Sequence, residues 1–221
     1  MAHRASSIGW LRSVATLLAE ISAPSPARMA RARSDLHHGL SLPAPACIMP
    51  LERALKALGH APKDNAEAMV MLGRALRRMA EVKSGTEALQ YRARAVAKLQ
   101  EEMRRRGVRA DFDLHMAFAD AWAALPFEDS NSEMALRQHL RQLDLREAAL
   151  RLAGDAAQKG QALLAIASHH AAIARHPAAA NVADHCRAGL EALEAAERTH
   201  ALDADQLYTA QELQRALAVI S

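Results

Sequence analysis

The sequence predicts an all-α fold, and three observations lead there. Apolar residues make up 51% of the chain but aromatics only 3%, and the excess is Ala and Leu with Arg and Glu between them. Helices packed through small side chains use that vocabulary, whereas sheets want Val, Ile, Thr and aromatics. One apolar spacing recurs three times at helical offsets, and Gly, Pro, Ser and Asn fall between the recurrences as breaks. A chain of 221 residues can bury roughly 70% of its unfolded surface, so a true core is expected.

The elements follow in chain order. Residues 1–22 have no acid before Glu20, carry Arg4 and Arg12, and place Ile8, Leu11, Ala15 and Leu18 on one face of an amphipathic helix. That segment is either a helix docked on the body or targeting information, since Arg and Ser without acids is also transit-peptide composition. Pro24, Pro26, Pro43, Pro45 and Pro50 then break the chain, because proline lacks a helical donor and restricts the residue before it. The expectation is a linker, with at most a short helix near Ala27 to His38, and thus a division into residues 1–48 and a helical domain over 49–221. Arg28, Arg31 and Arg33 in the linker either meet an acidic partner or are simply solvated.

A short helix is expected from Pro50 to Leu58, with proline tolerated in its first turn and Gly59 at its stop. Self-comparison of the body gives Met69-x2-Leu72-Gly73-x2-Leu76, His115-x2-Phe118-Ala119-x2-Trp122 and Leu163-x2-Ile166-Ala167-x2-His170, at offsets of 46 and 48 residues. Positions three, four and seven apart share one helix face, and Gly or Ala beside a large residue lets a neighbouring helix approach. Each copy is followed by a break and a second helix. The first of these runs from Glu87 to about Arg106, where Gly107 stops it. The second starts at a Ser132 N-cap and reaches about Ala153 with one interruption allowed; the third starts at an Asn181 cap after His176-Pro177 and reaches about Thr199. A last helix, Ala204 to Ile220, offers Leu207, Leu213, Leu217 and Ile220 as a docking stripe and leaves Gln211, Gln214 and Arg215 in water.

The first-helix pattern, with the Ala88-Leu89-x-Tyr91-x3-Ala95-Val96 run of the following helix, resembles the tetratricopeptide repeat over about residues 64–200. The units are longer than that family's period of about 34 residues, which requires longer second helices and inserted loops. The resemblance implies a short α-solenoid of antiparallel helix pairs whose first helices line a groove for an extended or helical peptide. It implies protein binding, with Arg74, Arg77, Asp120 and His169 facing the groove between the packing positions.

Other chemistry has little support. Of eleven histidines, His169, His170, His176 and His185 lie close in sequence, but His169 and His170 point to different faces, so no metal site is expected. His170 holds the last large position of the third copy, where packing with a hydrogen bond is the simpler role, and His115 is similar. No nucleophile elbow, zinc-protease helix or phosphate-cradling glycine loop is present, so no catalytic residue and no cofactor are expected, and the chain is read as no enzyme. Arg104, Arg105 and Arg106 are flanked by Glu101, Glu102 and Asp111 and complement a helix C-terminus, which argues against nucleic acid. The 28 basic and 25 acidic residues differ by the N-terminal arginines alone, so the body is electrically even. Cys47 and Cys186 are in no metal or redox spacing, which suits a reducing compartment. No run approaches the ~18 apolar residues of a membrane span, so a cytoplasmic protein without membrane insertion is expected. The partner is another protein or peptide, with a homodimer left open, and the role is adaptor, scaffold or chaperone. The alternatives are a sensor of a peptide or small ligand and a secreted or targeted helical effector.

Overall fold

The computed structural model describes residues 26–59, 65–126, 132–199 and 201–220, and the expected N-terminal amphipathic helix lies outside them. Every regular element among the described residues is helical, and consecutive helices pack on one another, as the composition predicts. The chain divides into two compact units between Lys98 and Leu99, well past the boundary at residue 49 that proline content suggests.

In the first unit the short helix expected near Ala27 to His38 is present and longer, so the segment expected to be a linker is folded from Pro26 onward. Helix α1 (Pro26–Ser41) buries Met29, Ala32, Leu36 and Gly39 at helical spacing and packs against α2 (Ile48–Leu58). The prolines bound this helix instead of dissolving it, because Pro26 occupies its first position, where no donor is lost. Gly39 is required by the crossing: a Cβ there would stand 2.7 Å from Leu51 Cγ. Asp35 bonds Arg53 at 3.0 Å across the pair, and Arg33 bonds Glu67 of α3 (Ala66–Val82). Helix α3 starts on an Asn65 cap, whose side chain accepts from the Ala68 amide at 3.0 Å. It buries Met69, Leu72, Gly73 and Leu76, the whole first copy of the repeat. Helix α4 (Gly85–Arg106) carries the division between the units and ends at Gly107, whose φ of +52° suits glycine. Near its end the buried Glu102 bonds both Arg105 (2.6 Å) and Arg106 (2.5 Å), so two of the three arginines in the run are charge-paired locally.

The second unit stacks α5 (Phe112–Ala123), α6 (Glu133–Leu152), α7 (Ala156–Ala174), α8 (Val182–Glu197) and α9 (Ala204–Ile220), each on the next, with α7 also reaching α9. Helix starts are set by side chains. Asp111, Ser132 and Asp155 accept from the amides of Leu114, Ala135 and Gln158, and Asp203 and Gln206 bond each other's amides reciprocally at 2.9 Å. Asn181 departs from expectation, since it stands before α8 in the left-handed region (φ +57°) and its side chain caps nothing. Helix α6 runs without interruption.

The second and third repeat copies lie within α5 and α7, and their small positions, Ala119 and Ala167, are fully buried. Gly189 of α8 is pinched between neighbours, where a Cβ would lie 2.8 Å from Leu213 Cδ1 and 3.2 Å from His170 Cβ. The docking stripe of α9 is narrower than expected: Leu213 is buried and Leu217 packs on the core, whereas Leu207 and Ile220 are about half exposed. Those two lie at the ends of the helix, beyond the reach of α7 and α8, and Ala210 and Ala216 complete the contact instead.

Candidate groove and buried histidine seam

On α6, His139, Gln142 and Arg146 fall three and four residues apart and so share one face, and two of them, Gln142 and Arg146, are buried. The Arg146 guanidinium donates to the Asp120 carboxylate of α5, and its other terminal nitrogen reaches the Met116 carbonyl (3.3 Å) and thioether (3.2 Å). A buried charge requires such a partner. From α7, His169 brings its ring to 5.9 Å from that of His139, while the next residue, His170, turns to the other side. There His170 and His185 of α8 meet Nδ1 to Nδ1 at 2.9 Å, so one ring must offer a hydrogen and the other a lone pair. Below α7, His176 is buried; its Nδ1 accepts from the Ala178 amide (3.1 Å), which leaves Nε2–H to donate to the Ser132 carbonyl (3.0 Å). A polar seam thus threads four consecutive helices of an otherwise apolar unit.

The seam favours the neutral imidazole at His139, His169 and His170. Burial, joined by the charge of Arg146 and by His139, pushes His169 down to about 4, although Asp120 pulls the other way. Burial and then His185 push His170 down to about 4 as well. His139 is lowered by burial, then by His176 and Arg175. The thiol of Cys186, buried beside the seam, is raised by burial.

A second feature adjoins the seam. Glu147, Leu150 and Arg151 of α6, Leu163 and Ile166 of α7, and Ala188, Glu191 and Ala192 of α8 line an open groove of about 370 Å³. Its floor is apolar and continuous with the core, and its rim carries exposed Glu147, Glu191 and Arg151. In the first unit, Arg28, Arg31, Arg53 and Lys56 face a cleft between α1 and α2 in which Asp35 is the acid.

The four residues expected to face a partner are divided between the two units. Arg74 and Arg77 are on α3 of the first unit, Arg74 exposed and Arg77 half-buried at 3.6 Å from Glu81. Asp120 and His169 are in the second unit and belong to the seam, where Asp120 neutralises Arg146. His170 is buried and hydrogen-bonded, the role its repeat position suggests, and His115 is half-buried with Nδ1 2.9 Å from the Asp111 carbonyl. Sequence reasoning found neither the partners of these histidines nor the groove. His139, Gln142 and Arg146 on one face of an otherwise apolar stripe was the available signal.

Among the described residues no group of three or more His, Cys, Asp or Glu is arranged to hold a metal ion, and no helix is long and apolar enough to cross a membrane. No protein family matches the chain, and comparison with curated proteins and with solved structures returns no match, so the likeness to tetratricopeptide arrays rests on the repeated residues and the helix pairs alone.

Proposed function

We propose that the chain is a protein- or peptide-binding module, an adaptor, scaffold or chaperone, and that the groove across α6, α7 and α8 receives an amphipathic segment of the partner. The observation that carries this reading is the pairing of an apolar floor with a charged, mostly acidic rim on one face of a helical stack. Helices and extended peptides dock on such faces through apolar anchors, while rim charges select the partner and its direction. Glu147 and Glu191 on opposite sides call for Lys or Arg flanking the anchors. The two buried, unbridged thiols fit a reducing cytoplasm, where a disulfide would not persist.

A panel of amphipathic peptides differing only in flanking charge tests this. Peptides with basic flanks are expected to bind the full chain, to lose binding to the Glu147→Arg/Glu191→Arg variant, and acidic-flanked versions are expected to bind that variant instead. Both glutamates are exposed, so helicity by circular dichroism should not change. Equal binding by both flank types, or none by either, overturns the proposal.

A further inference from the structure

The groove and the histidine seam are built on the same two helices. Ile166, in the groove floor, lies one turn before His170 on α7, and Ala188 and Ala192 follow His185 on the same helix α8. Gly189, one turn after His185, sits against His170 Cβ and Leu213, so α7 and α8 are in close contact there. The His170–His185 bond therefore ties the groove floor together at its tightest point.

That bond tolerates at most one proton beyond the neutral pair. At 2.9 Å between Nδ1 atoms, two imidazoliums would point donors and positive charge at each other with no acceptor between them. The surroundings offer little compensation from any side. The charge that bears on the His170 ring is that of His185 itself; Arg146, His139 and Asp120 act on His169, on the other face of α7, and His176 and Arg175 act on His139. On α8, Asp184 is bonded to Arg187, and α9 brings the apolar Leu213 beside Gly189 while its Glu212 bonds Arg175.

We infer that the α7–α8 floor of the groove is a proton-gated latch: with His170 and His185 uncharged the two helices are held and the groove is formed, and protonation of both releases α8 from α7 and dismantles it. The inference rests on the proposed binding site for its purpose but not for its geometry. Burial, which keeps His170 uncharged at neutral pH and down to about 4, places the release in the acid range. At neutral pH the gate is closed.

The test uses spin labels on Gln161→Cys of α7 and Glu194→Cys of α8, both exposed, in the full chain whose native thiols are buried. Distances are read in steps from about pH 7.5 to about pH 3, with helicity followed in parallel. The expected result is an acid-induced, reversible increase of more than about 2 Å with most helix retained. A His170→Gln/His185→Gln variant should lose that increase. Should the variant not fold, histidine-resolved NMR titration of the wild type serves instead, and protonation of the second ring of the pair must coincide with the opening. An opening that persists in the variant, rings that titrate without opening, or no opening at all overturns the latch. None of these readouts involves a partner, so failure of the peptide panel and failure of the latch are separate results.

Discussion

Arg146 is the least solvated cation described in the second unit, and its replacement separates two accounts of the seam. Its side chain is 6% exposed, and the acid it pairs with, Asp120, is 34% exposed. Asp120→Ala leaves that charge with the Met116 carbonyl and thioether alone. Removing one member of a buried pair typically costs about 3–5 kcal/mol. Because Asp120 borders solvent, water can reach the vacated position, and the expected loss is near the lower end, ~3 kcal/mol. Arg146→Met removes the buried charge itself, keeps most of the volume and leaves Asp120 free to hydrate, so it should cost clearly less, about 1 kcal/mol. Adding Arg146→Met to Asp120→Ala should then recover roughly 2 kcal/mol, which makes the coupling about 3 kcal/mol in magnitude, at the top of the range seen for contacting residues. Urea unfolding followed by circular dichroism at neutral pH, with slopes compared to check cooperativity, supplies all four corners of the cycle. If Arg146→Met proves as damaging as Asp120→Ala, or the double variant is simply additive, the pair does not carry the charge balance of the seam. The same variants report on His169: without Arg146 its depressed pKa should rise toward the usual value, and without Asp120 it should fall further.

Acid should weaken the second unit over a defined range. His169 and His170 titrate near 4 when folded and near the ordinary value when unfolded, so the unfolded chain binds more protons between roughly pH 6.5 and 4 and stability falls as pH falls through that window. The loss per histidine is at most ~3 kcal/mol, read from melts across that range, and a flat profile would refute the burial of both rings. At Glu102, burial raises the carboxyl pKa but the bonds from Arg105 and Arg106 outweigh it, so its contribution is present above the usual carboxylate pKa and fades as pH drops through the lowered one; Glu102→Gln should remove that component from an acid titration. Gly39→Ala should destabilise by about 1–3 kcal/mol and more than Gly189→Ala, because the clash at Gly39 is with the branch point and backbone of Leu51, whereas the nearest atom at Gly189 is a movable methyl of Leu213. Asn181→Gly should be neutral or slightly stabilising and Asn181→Val clearly destabilising in thermal melts, since the residue has a positive φ and makes no cap with its side chain.

Local signals carried most of the fold. Ser132 and Gly107 act where their chemistry predicts, and the three copies of the apolar spacing fall on α3, α5 and α7 because a helix can hide a large–large–small–large stripe only by burying it. Errors came where two local rules compete. Around α1 the prolines dominated the reading although Met29, Ala32 and Leu36 already formed a buried face, and at Asn181 a side chain able to cap was instead used for its tolerance of left-handed backbone. The seam was illegible for a different reason. Each contact joins residues on separate helices, 15 positions apart for His170–His185 and 26 for Arg146–Asp120, and helical periodicity describes only what lies on one helix. Its members also look like tolerated exceptions when seen singly: one arginine and one histidine within apolar stripes cost little if they face solvent. Only the stacking of α5 to α8 turns them inward together, and the energetic consequence follows from that convergence. A unit of this kind owes its neutral-pH stability to groups that are uncharged or paired, so the same residues that specify how its helices stack also determine the pH at which they separate.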